Sequence, residues 1–259
     1  GNQLYNGAHS TTTIKVSNST LEIKRAELNI QLSADKGSSV QMEDTVIERW
    51  GSNILYIKDS SVTSINTLLK GGSAEQDYPA VFLSRSTAKF KNTEVIQPLY
   101  QAAVCLKNSA SLESTGDSLT SIKANSSRVF IEQTVIRESL MLESNSFCRV
   151  SDYVDIKGEN EKKVDIYCGA SVLIANTIKL NRIINPNIRL SESSYLIADT
   201  ILEEFENTDS MIWDISDDSC KILNEESTVV PPYPRVTFQD PSGCLKSQII
   251  PNPIHLSLI

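Results

Sequence analysis

The sequence has few of the residues on which most enzyme active sites depend. It contains two histidines in 259 residues, His9 and His255, and these stand near opposite ends of the chain. A Ser-His-Asp or Cys-His site needs a histidine beside its nucleophile. No glycine-rich phosphate-binding loop occurs either, and the adjacent pair Gly71-Gly72 indicates a turn. The sequence therefore gives no support for nucleophilic catalysis or for phosphate binding by such a loop.

Basic residues are too few and too scattered for a nucleic-acid surface. Lysine and arginine number 24 against 32 aspartate and glutamate residues, which gives a net charge of -8 at pH 7. Nucleic-acid binding needs clustered cations that replace phosphate counterions. The basic pair Lys162-Lys163 follows Glu159 and Glu161, so charges of both signs occur together there. We expect no nucleic-acid partner.

Long apolar runs and a recognisable secretory leader are also missing. No run of about 18 apolar residues occurs, so we expect no membrane span. The chain begins GNQLYNGAHS, without an initiator methionine and without the charged and apolar parts of a signal peptide. We expect the sequence to be part of a longer protein, with any targeting signal outside it.

Cysteine pairs at metal-ligand spacing are absent as well. The five cysteines stand far apart, with no C-x-x-C motif and no neighbouring histidine. Small buried hydrophobic side chains explain them better than a zinc site or a disulfide framework, so we predict no metal and no cofactor. Free cysteines favour a reducing compartment. The five cysteines of the sequence are Cys105, Cys148, Cys168, Cys220 and Cys244.

The sequence does contain a repeat of about 22 residues, within the range typical of a solenoid. It is clearest in ILYIKDSSVTSINTLLKGG (54–72), IYCGASVLIANTIKL (166–180) and IRLSESSYLIADTIL (188–202). Each unit has an apolar anchor, then a serine-containing pair, then an Asn-Thr or Asp-Thr pair. About ten units fit, some of them loosely.

Apolar residues recur two positions apart inside the units, which is typical of a strand with one buried face. Neither a leucine-rich repeat nor a helical repeat fits this period. We predict a stacked threonine ladder at Thr45, Thr67, Thr93, Thr177 and Thr200. The predicted inward positions are Leu21, Val40, Val62, Ala88, Phe147, Val172, Tyr195 and Cys220 in one column, and Ile23, Met42, Phe90, Ile174, Ile197 and Ile222 in another.

The coil length, the aliphatic columns and the Asn and Ser corners resemble the right-handed parallel β-helix of the pectin-lyase-like superfamily. We therefore predict an all-β fold, a single-stranded right-handed parallel β-helix of about ten coils over residues 13–224. A β-sandwich or an irregular β-roll is the alternative. Residues 1–12 are expected to form a lead-in or cap. The proline-rich residues 225–259 are expected to form a C-terminal cap, a return strand along the rod, or a linker.

The resemblance raises carbohydrate-active chemistry as an alternative function. Polygalacturonase-like hydrolases of this superfamily carry NTD, DD, GHG and RIK motifs in chain order, which supply paired carboxylates. Here Asn207-Thr208-Asp209 matches the first motif and Asp217-Asp218 the second. The two lie too close together for adjacent coils, and the other two motifs are missing. Asp209, Asp217 and Asp218 are nevertheless the candidate catalytic residues of this alternative.

Lyases of the superfamily pair a calcium-carboxylate cluster with a basic residue. The best local carboxylate cluster is Glu203, Glu204, Glu206 and Asp209. Calcium takes six to eight oxygen ligands, and a solvated acidic loop explains these residues more simply.

Extra residues enter the repeat at equivalent places, before the next anchor, in the ranges 71–79, 157–163, 181–187 and 203–210. Insertions at one point of a repeat project from one face, which is often a binding face. Several aromatic residues occur near this face, namely the tyrosines of the candidate list below and the tryptophans Trp50 and Trp213. Each of them is expected either to contact a ligand or to pack in the interior. The candidate binding residues are Glu75, Asp77, Tyr78, Tyr100, Glu204 and Glu206.

We predict a non-catalytic β-helix interaction module of a larger protein. It binds a protein or a glycan through its rod surface and stacked loops, as the β-helix regions of adhesins and bacterial effectors do. A polysaccharide lyase or glycoside hydrolase is the alternative. The resemblance implies a secreted or cell-surface protein, whereas the free cysteines favour a reducing compartment. The sequence leaves the localisation open between the two.

Overall fold

In the part of the chain that the structure describes, alternating apolar and polar residues form 24 short strands, which stack coil upon coil in three parallel ladders. The computed structural model describes residues 12–72, 78–97, 102–158, 164–180, 187–203, 212–216 and 219–223. No helix occurs in these residues, so none could cross a membrane. The described part forms about eight turns, close to the ten predicted, and the predicted all-β parallel β-helix is confirmed.

The first ladder opens each coil, and all of its pairings are parallel. It consists of β1 (Thr13–Ser17), β4 (Gln31–Asp35), β7 (Leu55–Lys58), β10 (Val81–Ser84), β13 (Val104–Lys107), the ends of β15 (Ser118–Asn125) and β17 (Thr134–Glu143), then β19 (Ile166–Gly169), β21 (Asn187–Ser191) and β23 (Ile212–Ile215).

The second ladder follows a tight corner. It consists of β2 (Thr20–Lys24), β5 (Ser39–Glu43), β8 (Ser61–Ile65), β11 (Thr87–Lys91), β14 (Ser111–Thr115), β16 (Arg128–Glu132), the beginnings of β18 (Phe147–Ile156), β20 (Val172–Leu180) and β22 (Tyr195–Glu203), and β24 (Cys220–Leu223).

The third ladder completes each coil. It consists of β3 (Glu27–Leu28), β6 (Val46–Trp50), β9 (Leu68–Gly72), β12 (Glu94–Ile96), the beginnings of β15 and β17, and the ends of β18, β20 and β22. The four predicted insertions all connect this ladder to the next strand of the first ladder, so they share the third corner.

The interior is a set of aliphatic columns. Along the first ladder, Leu32, Leu55 and Val81 are Cα partners in successive coils, and all three are fully buried. Cys105, Cys148 and Cys168 are also buried and free, as predicted for small hydrophobic side chains. Burial raises the pKa of the Cys168 thiol to about 12, so this sulfur is protonated and packs as an apolar group.

The first corner, between the first and second ladders, is built from left-handed residues followed by serine. Asn18, Asp59 and Arg85 have φ angles of 49°, 50° and 49°. From the second serine of each run onward, the serine at this corner accepts a hydrogen bond at Oγ from the backbone N–H of the corner serine in the coil before it, at 3.0 to 3.4 Å. This serine ladder runs through Ser19, Ser38, Ser60 and Ser86, skips Ala110, and resumes through Ser127, Ser146, Ser171, Ser194 and Ser219.

The predicted inward columns are correct in the N-terminal half and wrong by one residue in the C-terminal half. Val40, Val62 and Ala88 are buried. The predicted residues Phe147, Val172, Ile174, Tyr195 and Ile197 face outward, and their neighbours Cys148, Leu173, Ala175, Leu196 and Ala198 occupy the interior.

The shift has two causes. At Ser144-Asn145 and Glu192-Ser193 the first corner has two left-handed residues, as it also has at Lys36-Gly37, and the serine then follows the buried anchor one position later than in the coil of Asp59. In the coil between them, Cys168 and not Tyr167 is the buried anchor.

The threonine ladder is likewise correct only in part. Thr45, Thr67 and Thr93 are buried at the second corner. Thr177 and Thr200 are half-buried and lie in one row with Tyr153, while the adjacent Ile178 and Ile201 fill the interior. In these coils the strands β18, β20 and β22 continue through the bend, and no described residue there has a left-handed φ angle.

Candidate functional site

The third corner between β9 and β10 is held by two glycines that no other residue could replace without movement. A Cβ at Gly71 would lie 2.1 Å from the backbone oxygen of Arg49 and 2.7 Å from Cγ1 of Ile54. Gly72 has a φ of +92°, and a Cβ there would lie 2.8 Å from the backbone oxygen of Tyr78. The glycine pair therefore lets the chain that returns from the insertion pack directly against the end of β9.

Two buried amides fix the backbone on which this returning chain lies. Asn53 donates a hydrogen bond from Nδ2 to the backbone oxygen of Pro79 at 2.5 Å. Gln97 accepts one from the N–H of Ala80 at 2.6 Å and donates another to the backbone oxygen of Tyr78 at 3.4 Å. The position of Tyr78 is thus set by the rod, although its side chain is 43% exposed.

Trp50 stands on the adjacent coil, at the end of β6, and its side chain is 50% exposed. Its Cα partner is Gly72, the same glycine against which the backbone oxygen of Tyr78 packs. Trp50 and Tyr78 therefore both lie next to Gly72. The indole Nε1 donates to Glu48 Oε1 at 3.0 Å. Arg49 is oriented by hydrogen bonds from Nε to Ser52 Oγ at 2.8 Å and from Nη1 to the backbone oxygen of Thr12 at 3.0 Å. Lys70 Nζ lies 3.9 Å from Glu48 Oε2. We call Trp50, Arg49, Lys70, Glu48 and Tyr78 the aromatic corner.

Of the predicted binding residues, Tyr78 is exposed at the third corner, and the corner flanks the insertion that contains residues 73–77. The sequence is compatible with either ligand contact or core packing for Trp50, and the structure places its side chain on the surface. For Trp213 only the backbone in β23 is described. The other predicted binding residues and all three candidate catalytic residues lie outside the described residues: Glu75, Asp77, Tyr100, Glu204, Glu206, Asp209, Asp217 and Asp218.

A second aromatic feature on the first ladder was not predicted. Tyr56 and Phe82 occupy the same outward position in successive coils, and their rings stack with centroids 5.1 Å apart and planes 11° apart. Lys107 Nζ lies 5.9 Å from the centroid of Phe82. The signal was present in the sequence, because each ring stands between two inward anchors of its strand.

The described carboxylates with clear pKa shifts are committed to structural contacts. Asp59 forms a bidentate pair with Arg85 at 2.6 and 2.8 Å, and this hydrogen bonding lowers the pKa of the Asp59 carboxyl. Asp117 is buried at the second corner, and desolvation raises the pKa of its carboxyl to about 6. Within the described ranges, no three His, Cys, Asp or Glu side chains are grouped as metal ligands would be.

Comparison with known proteins adds no relative to this description. No family model matches the chain, and searches of curated proteins and of solved structures find no match. The functional argument therefore depends on the surface of the rod itself.

Proposed function

We propose that the chain is a non-catalytic parallel β-helix module that binds another protein, and that the aromatic corner is the centre of the contact surface. The observation that supports this most directly is the exposure of Trp50 and Tyr78, which both lie next to Gly72 at the corner where the insertions enter. Tryptophan, tyrosine and arginine are the residue types that dominate binding energy in protein interfaces.

The rigidity of the corner supports the same proposal. Gln97 and Asn53 hold the backbone under Tyr78, and Arg49 is oriented by two hydrogen bonds. A surface that is ordered before binding loses less conformational entropy on association. Membership of the pectin-lyase-like superfamily, with an adhesin-like or effector-like role, is the finer part of the proposal and is supported by the coil pattern alone.

The test is capture of a binding partner by the full chain in two double variants. Trp50→Ala with Tyr78→Ala removes both anchors, and we expect affinity to fall by about 100-fold, at about 1–2 kcal/mol for each aromatic residue. Tyr56→Ala with Phe82→Ala removes two aromatic rings from a different face and should leave affinity within about threefold. Equal losses in both variants, or in neither, would contradict an interface at the aromatic corner.

Two further measurements distinguish protein binding from glycan binding and from catalysis. Binding to a glycan array that requires Trp50 and Tyr78 would change the partner class and keep the surface. Turnover of a polysaccharide, measured with and without calcium, that is lost in Asp209→Ala, Asp217→Ala or Asp218→Ala would replace the proposal by a carbohydrate-active enzyme.

A further inference from the structure

The outward face of the second ladder changes character along the rod. In the N-terminal coils it is polar, with Thr63, Lys89 and Glu113 in one row and a Lys89–Glu113 ion pair of 2.8 Å. From β16 onward this row and the row beside it carry mostly large apolar side chains, with Arg128 and Arg149 as the exceptions. We call these residues the apolar patch: Phe130, Phe147, Val172, Ile174, Tyr195 and Ile197.

The residues of the apolar patch are neighbours across successive coils, and all six are partly or largely exposed in the described structure. Phe147, Val172 and Tyr195 are Cα partners in three successive coils, and Ile174 and Ile197 are partners in the parallel row. Phe130 packs edge-on against Phe147 with ring centroids 6.3 Å apart. Phe130 is 37% and Tyr195 43% exposed, although both are apolar rings in the middle of a sheet face. Contiguous apolar surface of this kind marks a surface that another segment or partner covers.

The course of the chain indicates which segment this is. The last described strand, β24, pairs with β22 in the second ladder, directly beside the apolar patch. The remaining sequence, 224–259, therefore continues from the same face on which the patch lies. Six of the nine prolines stand in those 36 residues, and proline lacks the N–H that a strand in a ladder of coils must donate. The sequence thus disfavours a further coil for this segment.

The segment 224–259 contains enough apolar residues, and is long enough, to cover the apolar patch. Its apolar residues occur in short groups spread along its length, Val229-Val230, Val236 with Phe238, and Ile249-Ile250, each close to a proline. The patch spans the four successive strands β16, β18, β20 and β22, or about 15 Å at the spacing of neighbouring strands. An extended chain covers that distance with about five residues, so the segment is long enough to return along the face and cross it more than once.

We propose that residues 224–259 fold back along the second ladder and cover the apolar patch within the same chain. The patch and the segment are then two halves of one packing surface, separated by β24. This inference is independent of the aromatic corner, which lies at the third corner and in earlier coils.

Photo-crosslinking in the full chain tests the contact directly. A benzoylphenylalanine placed at position 195 lies in the apolar patch, and one placed at position 63 lies in the polar part of the same ladder as a control. Mixing isotopically light and heavy protein before irradiation distinguishes crosslinks within one chain from crosslinks between copies. We expect position 195 to crosslink to peptides from 224–259 of the same chain and position 63 to form no such product.

Two charge-matched variants complete the experiment. Val230→Asp, Phe238→Asp and Ile250→Asp together should abolish the crosslink from position 195 and increase the fluorescence of 1-anilinonaphthalene-8-sulfonate, because the patch becomes exposed. Ser227→Asp, Thr237→Asp and Ser247→Asp together add the same charge beside those residues and should leave both signals unchanged. Crosslinks that join light to heavy chains, or an unaltered crosslink in the first variant, would overturn the inference, and so would the absence of any crosslink to the segment.

Discussion

At the residue scale, Asp117 is the exception in a corner that otherwise uses threonine. It occupies the position of Thr93 in the preceding coil and Thr134 in the next. Its carboxyl accepts hydrogen bonds from the N–H of Thr93 at 2.7 Å and from Ser114 Oγ at 2.6 Å. These contacts lower the pKa, but desolvation outweighs them and raises it to about 6. The carboxyl therefore carries a charge at neutral pH in a site that favours its neutral form.

This arrangement predicts a dependence of stability on pH. The folded-state pKa of about 6 exceeds the ordinary value of 3.8, so the stabilising effect of protonation is complete below about pH 4 and is lost as pH rises through 6. Asp117→Asn keeps a neutral side chain at every pH. We expect the variant to be more stable than wild type at pH 8 by on the order of 2–3 kcal/mol, with a smaller difference at pH 5, as measured by urea unfolding.

Asp59→Asn is the matched control, because Arg85 lowers the pKa of that exposed carboxyl. Any stabilisation by Asp59 is present at neutral pH and is lost as pH falls, which is the opposite sign. A stability difference between Asp117→Asn and wild type that stays constant from pH 5 to pH 8 would show that the Asp117 carboxyl titrates as an ordinary one.

The serine ladder yields a second prediction at this scale. Ser60 Oγ accepts a hydrogen bond from the N–H of Ser38 at 3.1 Å in a buried corner. Ser60→Ala should lower the unfolding free energy by about 1–3 kcal/mol, because the N–H of Ser38 loses its acceptor. Ser61→Ala, at the next and outward-facing position, should change it by less than about 0.5 kcal/mol. Similar effects of the two variants in thermal or urea unfolding would mean that this hydrogen bond contributes little.

At the element scale, the strands show what a repeat can and cannot predict. Alternation of apolar and polar residues predicted strands, and a period of about 22 residues predicted coils, because both depend on composition averaged over many units. The register within a coil depends on single residues. One extra left-handed residue at Glu192-Ser193 moves Leu196 into the interior and Tyr195 to the surface. An insertion of that size leaves the period almost unchanged, so the sequence alone did not reveal it.

The corrected register is tested by aspartate substitutions at neighbouring positions. Leu173→Asp and Val62→Asp place a charge in the interior without a partner, and we expect both to unfold the protein, at several kcal/mol each. Ile174→Asp and Thr63→Asp place the same charge on the outward face and should leave the coils folded, and at Ile174 the charge should only weaken the proposed contact with residues 224–259. Circular dichroism and urea unfolding of the four variants distinguish the two classes. An unfolded Ile174→Asp beside a folded Leu173→Asp would restore the uncorrected register.

At the scale of the whole molecule, the fold was predictable and the candidate site only in part. The position of Tyr78 followed from the insertion, because insertions share one corner of a solenoid. The exposure of Trp50 did not follow, since an aromatic residue at a strand end packs inward or outward depending on its neighbours. The stack of Tyr56 on Phe82 requires knowing that the two residues are Cα partners in successive coils.

A solenoid of this kind predicts tolerance to loss of a complete coil. Deleting residues 59–84 removes one complete coil and joins Lys58 to Arg85, so that Lys58 takes the place of its Cα partner Ser84. We expect this variant to fold with a β-type circular dichroism spectrum and reduced stability, because each coil contacts mainly its neighbours. Deleting residues 59–71, about half a coil, should prevent folding. Similar unfolding curves for the two deletions would contradict the coil as the unit of stability.

The stacking of coils also gives the molecule a constant axial rise per coil. The coil from Leu55 to Val81 contains many more residues than the coil from Ile122 to Leu140, yet each advances the rod by one strand spacing, about 4.8 Å. Extra residues between the third and the first ladder therefore leave the axial spacing of the coils unchanged. The axial distance from the aromatic corner to the apolar patch is fixed by a whole number of coils. A partner bound at the aromatic corner and the segment 224–259 packed on the apolar patch would therefore keep a constant axial separation, whatever the length of the insertions between them.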